Sequence, residues 1–208
     1  MRHQRIDELT RRDHYYLGDR DVCYFFLEYS ARNGQSFGAG NGLVRDLLRP
    51  ESKATSAPDV GKQRAVRRLA HAFRAALSPD RLSAMTFVPI PLAGPPERWG
   101  QDDRTHRILR CMADGLDVRD LVEMSEAHGD FAAARTGPEV LYERMRVVPD
   151  LLAPAPAAII LVGDVLTTGA SFVAARRRLR QSLPYVPVYG LFAARKLRDA
   201  DDIAHLDA

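Results

Sequence analysis

The sequence predicts an α/β protein: a parallel sheet flanked by helices, with an N-terminal helical and strand extension. Three observations lead there. Met85–Pro91, Ile159–Val162 and Val186–Phe192 are short apolar runs rich in branched residues, and such runs suit strands buried on both faces of a parallel sheet. Helical periodicity alternates with them, around Asp102–Leu116 and again from Phe172 to Leu179. Gly and Pro clusters punctuate the joins. Alternating strand and helix signals build parallel sheets. The division expected is an extension or hood at residues 1–80 and an α/β core at residues 81–208.

In order along the chain, residues 1–20 are charged and aperiodic, with a short helix expected around Asp7–Arg12. Val22–Tyr29 is aromatic and branched, a strand by propensity. Asn41 reads as the cap of a helix with Leu43, Val44, Leu47 and Leu48 inward. A Ser/Ala/Pro-rich loop leads to a second helix, Lys62–Leu77, whose Arg64, Arg67, Arg68 and Arg74 form a charged face. After the Met85–Pro91 strand come a Pro/Gly loop and the Asp102–Leu116 helix. A third core strand is expected at Leu121–Glu123, then a long loop over Met124–Arg146 and a strand at Met145–Val148. Val186–Phe192 closes the sheet, and the polar Ala193–Ala208 caps the domain.

The chain has 208 residues, enough for one substantial core. Its 46% hydrophobic and 27% charged content is that of an ordinary globular protein. No apolar run is long enough to span a bilayer, so no membrane partner is expected. The N-terminus lacks an apolar signal core, so the cytoplasm is the expected location. Cys23 and Cys111 are far apart and suggest neither a disulfide nor a metal framework. The net charge of +3 is mild, and lysine stands only at Lys53, Lys62 and Lys196. Arginine suits phosphate, since its fork grips two oxygens. Nucleic acid is permitted as a partner but not indicated, because no aromatic-basic module is present.

Most of the chemistry sits in Ala157–Leu179, AAIILVGDVLTTGASFVAARRRL. The apolar run breaks into Gly163-Asp164, then into Thr167-Thr168-Gly169-Ala170-Ser171, then into a helix. A carboxylate at the carboxyl end of a strand stands where open α/β sheets bind ligands. Backbone N–H groups at the following helix start, with the hydroxyls beside them, make an anion site. Together they suit a sugar phosphate, hydroxyls on the Asp and phosphate in the loop. A Walker P-loop is excluded: Gly163 and Gly169 are spaced one residue too far, and Ala170 stands where that motif needs lysine. A dinucleotide turn is excluded because G-x-G-x-x-G is absent.

The stretch resembles the phosphoribosyl-pyrophosphate (PRPP) loop of type I phosphoribosyltransferases, which has four apolar residues, two acidic ones, two more, then Thr-Thr-Gly-x-Thr/Ser. One departure matters: the first acidic position is Gly163. The resemblance is specific at Ile159–Ser171, loose over Met85–Arg195 and absent from residues 1–80, and it points to the competence-protein-F-like or amidophosphoribosyltransferase-like branch. It implies that Asp164 holds ribose hydroxyls. Thr167, Thr168, Gly169 and Ser171 would hold the 5′-phosphate, with Val165, Leu166 and Ala170 as further substrate-binding positions. Leu92, Ala93 and Arg104 would meet the diphosphate, with Arg98, near Trp99, and Arg135, in the long loop, as further anion contacts. Asp164 and Arg104 are thus the residues assigned to catalysis.

The activity implied is transfer of a phosphoribosyl group from PRPP to a nitrogen nucleophile with release of pyrophosphate. Mg²⁺ would ride on the diphosphate, reaching Asp164 through water at most. A PRPP- or nucleotide-sensing regulator on the same fold is an alternative that Gly163 favours, with a nucleoside 5′-monophosphate as a further ligand. A DNA-uptake accessory is another. A homodimer is compatible with the resemblance. Asp164, as a strand-end carboxylate, is expected to be dispensable for stability, and Gly163 is expected to need a positive φ or to mark an eroded ribose contact.

Overall fold

The computed structural model describes residues 1–32, 38–50, 59–92, 103–125 and 137–198. Its strands are β1 (Gln4–Arg5), β2 (Cys23–Tyr29), β3 (Thr86–Pro89), β4 (Asp117–Val118), β5 (Val122–Met124), β6 (Met145–Val147), β7 (Ile159–Leu166) and β8 (Val188–Lys196). Its helices are α1 (Glu8–Arg11), α2 (Ala39–Leu48), α3 (Val60–Ala76), α4 (Pro79–Ala84), α5 (Arg104–Met112), α6 (Pro138–Arg144) and α7 (Ala170–Ser182). Six strands form one sheet in the order β1-β2-β8-β7-β3-β4. Every neighbouring pair in it is parallel except β1 with β2.

The apolar runs form the centre of the sheet because both of its faces are covered. Along β7, Ile159 and Leu161 pack on one face with α7, and Ile160 and Val162 on the other with α2, α3 and α5. Phe73, Phe87, Leu69 and Leu109 fill that second layer almost without exposure. Burial of each contributes about 1.5–3 kcal/mol. The result is a mainly parallel sheet between two helical layers. Among the described residues no helix is long and apolar enough to cross a membrane.

Several expectations change on contact with the fold. Within residues 1–80, β2 is hydrogen-bonded to β8 and so belongs to the main sheet. The strand expected at Leu121–Glu123 is present as β5, but it is not in that sheet: β5 and β6 form a separate antiparallel ribbon, and the sheet edge is the two-residue β4. The long loop expected over Met124–Arg146 contains α6, started by Pro138 at its first turn. Asn41 does not cap α2. Gly38 does, with φ 99°, while the Asn41 side chain accepts a hydrogen bond from the Ser30 N–H. Around Asp7 the expected short helix is present as α1, closed by a reciprocal Asp7–Thr10 capping box.

Candidate functional site

From β3 the chain moves outward to β4 and then returns to β7 on the other side of β3. The crevice between the carboxyl ends of β3 and β7 is therefore the topological switch point, where open α/β sheets bind ligands. Of the loop after β3, Leu92 is described and half-buried, whereas Ala93, Arg98 and Arg135 lie outside the described residues. The loop after β7 is Thr167–Gly169. Thr167 is exposed, Thr168 and Ser171 half-buried, Gly169 and Ala170 buried.

The strand before this loop is longer than its sequence indicates. Gly163 and Asp164 do not end it: Gly163 pairs with Phe192, and the register continues to Leu166 opposite Arg195. Strand alternation then sends residues 163 and 164 to opposite faces. Residue 163 faces the α7 side, where a Cβ would stand 2.7 Å from the Phe192 ring and 3.6 Å from Ile90. Glycine is required there by that close approach. Its φ is not positive, so backbone conformation does not require glycine at 163. A carboxylate at 163 would collide with the ring. Leu166 turns its side chain into the core at 2% exposure, which leaves only its backbone for a ligand, and Val165 is half-buried.

Asp164 faces the other layer, where Arg104 opens α5. The guanidinium Nε lies 3.1 Å from Asp164 Oδ2, with side-chain exposures of 2% for Arg104 and 19% for Asp164. Oδ1 of Asp164 accepts from the Val165 N–H at 2.6 Å. Arg104 is thus ion-paired with one oxygen of the carboxylate while the Val165 N–H holds the other, which together orient Asp164. Such a pair is screened less than a surface pair, and removing one partner leaves the other charge desolvated.

Gly169 makes the loop turn. Its φ of 88° is left-handed, and a Cβ would lie 2.8 Å from Leu17. This caps the N-terminus of α7, with the Thr168 hydroxyl accepting from the Ala170 N–H at 3.4 Å. No acidic residue occupies the first turn of α7, so the positive end of its dipole is not neutralised from within.

Sequence reasoning missed the segment that braces this loop. His14 Nδ1 bonds to the Thr167 carbonyl, and the Tyr16 N–H donates to the Thr168 carbonyl at 3.1 Å. Leu17 packs beneath Gly169. Two ion pairs tie the same segment down, Asp13 to Arg195 at 2.8 Å and Asp21 to Arg176 at 2.9 Å. The His14 and Tyr16 contacts engage the Thr167 and Thr168 carbonyls and hold the loop in place ahead of α7. His14 is fully buried, and desolvation holds its pKa below the usual histidine value. Its Nε2 has no hydrogen-bond partner among the described residues, which suits a neutral ring donating from Nδ1. The only sequence signal was an isolated His in a charged stretch, which carries no periodicity.

Among the described residues no group of three or more carboxylate, His or Cys side chains is arranged to hold a metal ion. One carboxylate, hydrogen-bonded at Oδ1 and ion-paired at Oδ2, suits a cation that arrives on a diphosphate and keeps its other ligands from water. No protein-family model matches the chain, and no curated protein does either.

Proposed function

We propose that the switch-point crevice binds PRPP, and that the chain transfers its phosphoribosyl group to a nitrogen nucleophile with loss of pyrophosphate. The observation that carries this reading is the juxtaposition of Asp164 with the Thr167–Ser171 helix start at the carboxyl ends of β3 and β7. Asp164, oriented by Arg104, would accept hydrogen bonds from the ribose hydroxyls. Thr167, Thr168 and Ser171, with the N–H groups at the start of α7, would hold the 5′-phosphate. The nucleophile's nitrogen forms a bond to ribose C1 as the C1–oxygen bond to pyrophosphate breaks, and the electron pair leaves with pyrophosphate. Such a reaction depends on positioning and electrostatics more than on a strong acid or base. Bound Mg²⁺ would neutralise charge gathering on the leaving diphosphate. Asp164 and the loop would keep C1 aligned while the sugar develops positive charge.

A second reading is a PRPP or nucleotide sensor without turnover. Gly163 favours it, because packing against Phe192 leaves the ribose a single carboxylate. Incubation with PRPP, Mg²⁺ and ammonia or glutamine, followed for pyrophosphate release, tests the transferase. Release that disappears in Asp164→Asn supports transfer. Binding without release supports the sensor. Neither binding nor release defeats both.

A further inference from the structure

At the carboxyl end of β2, α2 and α3 enclose an open cleft of about 870 Å³, lined by Tyr29, Arg45, Asp46, Arg49, Arg64 and Arg68. Its charges divide into two groups. Asp46 uses both oxygens, Oδ1 on Arg49 Nη2 and Oδ2 on Arg64 Nη2, each at 3.0 Å. Arg49 also reaches Asp59 Oδ2 at 3.1 Å. Two carboxylates thus occupy Arg49 and Arg64 and hold them in place. Arg45 and Arg68 are exposed and have no ion pair or hydrogen bond among the described residues. Unpartnered guanidinium groups on two adjacent helices leave the cleft with a surplus of positive charge. The backbone at Gly38 and Gly42 is open to the same space, with no atom within 4 Å of where a side chain would begin.

We propose that this cleft binds a short phosphate chain of the kind a nucleoside di- or triphosphate carries. Each free guanidinium can grip one phosphate through two parallel N–H bonds. The volume lies within the roughly 300–1,000 Å³ of small-molecule sites, too large for a lone phosphate. Tyr29 lines the same space and adds an aromatic surface of the kind a base packs on. A nucleic-acid strand fits less well, since it needs an unbroken track of cations and stacking rings. Here Asp46 and Asp59 interrupt the track. β2 lies two strands from β7 in the sheet, on the order of 10 Å away at ordinary strand spacing. None of the residues lining the cleft belongs to the loops after β3 and β7, and its occupancy does not depend on the function proposed for the switch-point crevice.

The test is titration of the full chain with ATP, with inorganic tripolyphosphate and with a twelve-nucleotide single-stranded oligothymidylate, at low and moderate salt. Arg45→Ala/Arg68→Ala is compared with the unaltered chain and with Asp164→Asn. The expected result is ATP and tripolyphosphate binding that falls at least tenfold in the double arginine variant, persists in Asp164→Asn, and leaves the Tm of the double variant unchanged. The proposal is overturned by no binding of ATP or tripolyphosphate at millimolar concentration, by binding that survives loss of both arginines, or by the oligonucleotide binding more tightly than ATP. Loss in Asp164→Asn alone would place the phosphate in the other crevice and also overturn it.

Discussion

Residue 163 and Phe192 compete for one volume, and that contact decides what a substitution there does. A carboxylate whose Cβ starts 2.7 Å from the ring must push the ring aside. Gly163→Asp is expected to lose about 1–3 kcal/mol to overpacking, read as a lower urea midpoint. Adding Phe192→Ala should cause less than the sum of the two single losses, because the contact is shared. Asp164 changes in the opposite sense from its sequence-based expectation. Its partner Arg104 is 2% exposed, so Asp164→Ala leaves a buried guanidinium without that carboxylate. Breaking a buried pair in this way costs roughly 3–5 kcal/mol. Asp164→Ala should therefore lower the Tm, while Asp164→Asn, which keeps an acceptor, should lower it less. His14 gives the pH dependence. Burial lowers its folded pKa, so the unfolded chain takes the proton first as pH falls below about 6.5. Stability attached to the neutral ring is present above that pH and is lost as pH falls toward the folded value. Urea midpoints of His14→Gln should change less than those of the unaltered chain between pH 7 and pH 5.

Of the elements, β7 and the start of α7 were the most legible. A buried apolar run followed by Thr-Thr-Gly carries both the strand period and the cap chemistry within a few residues. The strand's end was misread because Gly163-Asp164 looks like a turn. What keeps it extended is register with Gly190–Arg195 on β8, a contact no local window contains. Burial of Arg104 was illegible for the same reason, since its partner is sixty residues away. So was the brace of His14, Tyr16 and Leu17, which acts through backbone carbonyls of residues 167 and 168. The brace and the turn predict one further effect. Gly169→Ala places a side chain at φ 88° and against Leu17, which should cost about 1–3 kcal/mol. Leu17→Ala in the same chain should recover the steric part of that loss but not the backbone part. Thermal melts of the two single variants and the double separate them.

Across the whole molecule, the α/β class and the parallel order of its central strands were present in the alternation of apolar runs and helical periods. The placement of β2 beside β8, and the ribbon β5–β6 outside the sheet, were not. Both follow from pairings between distant segments, which propensity does not encode. That topology is nonetheless what supports the functional reading, because it brings the loops after β3 and β7 to one switch point and puts Asp164 at its edge. The direct test is calorimetric titration of the full chain with PRPP, AMP, GMP and UMP, with and without Mg²⁺. One-to-one binding of PRPP or a nucleoside 5′-monophosphate is expected, with Mg²⁺ strengthening PRPP. In Asp164→Asn the affinity should fall about tenfold or more, near 1.4 kcal/mol. No binding of any of the four at millimolar concentration, with or without Mg²⁺, would contradict the functional reading.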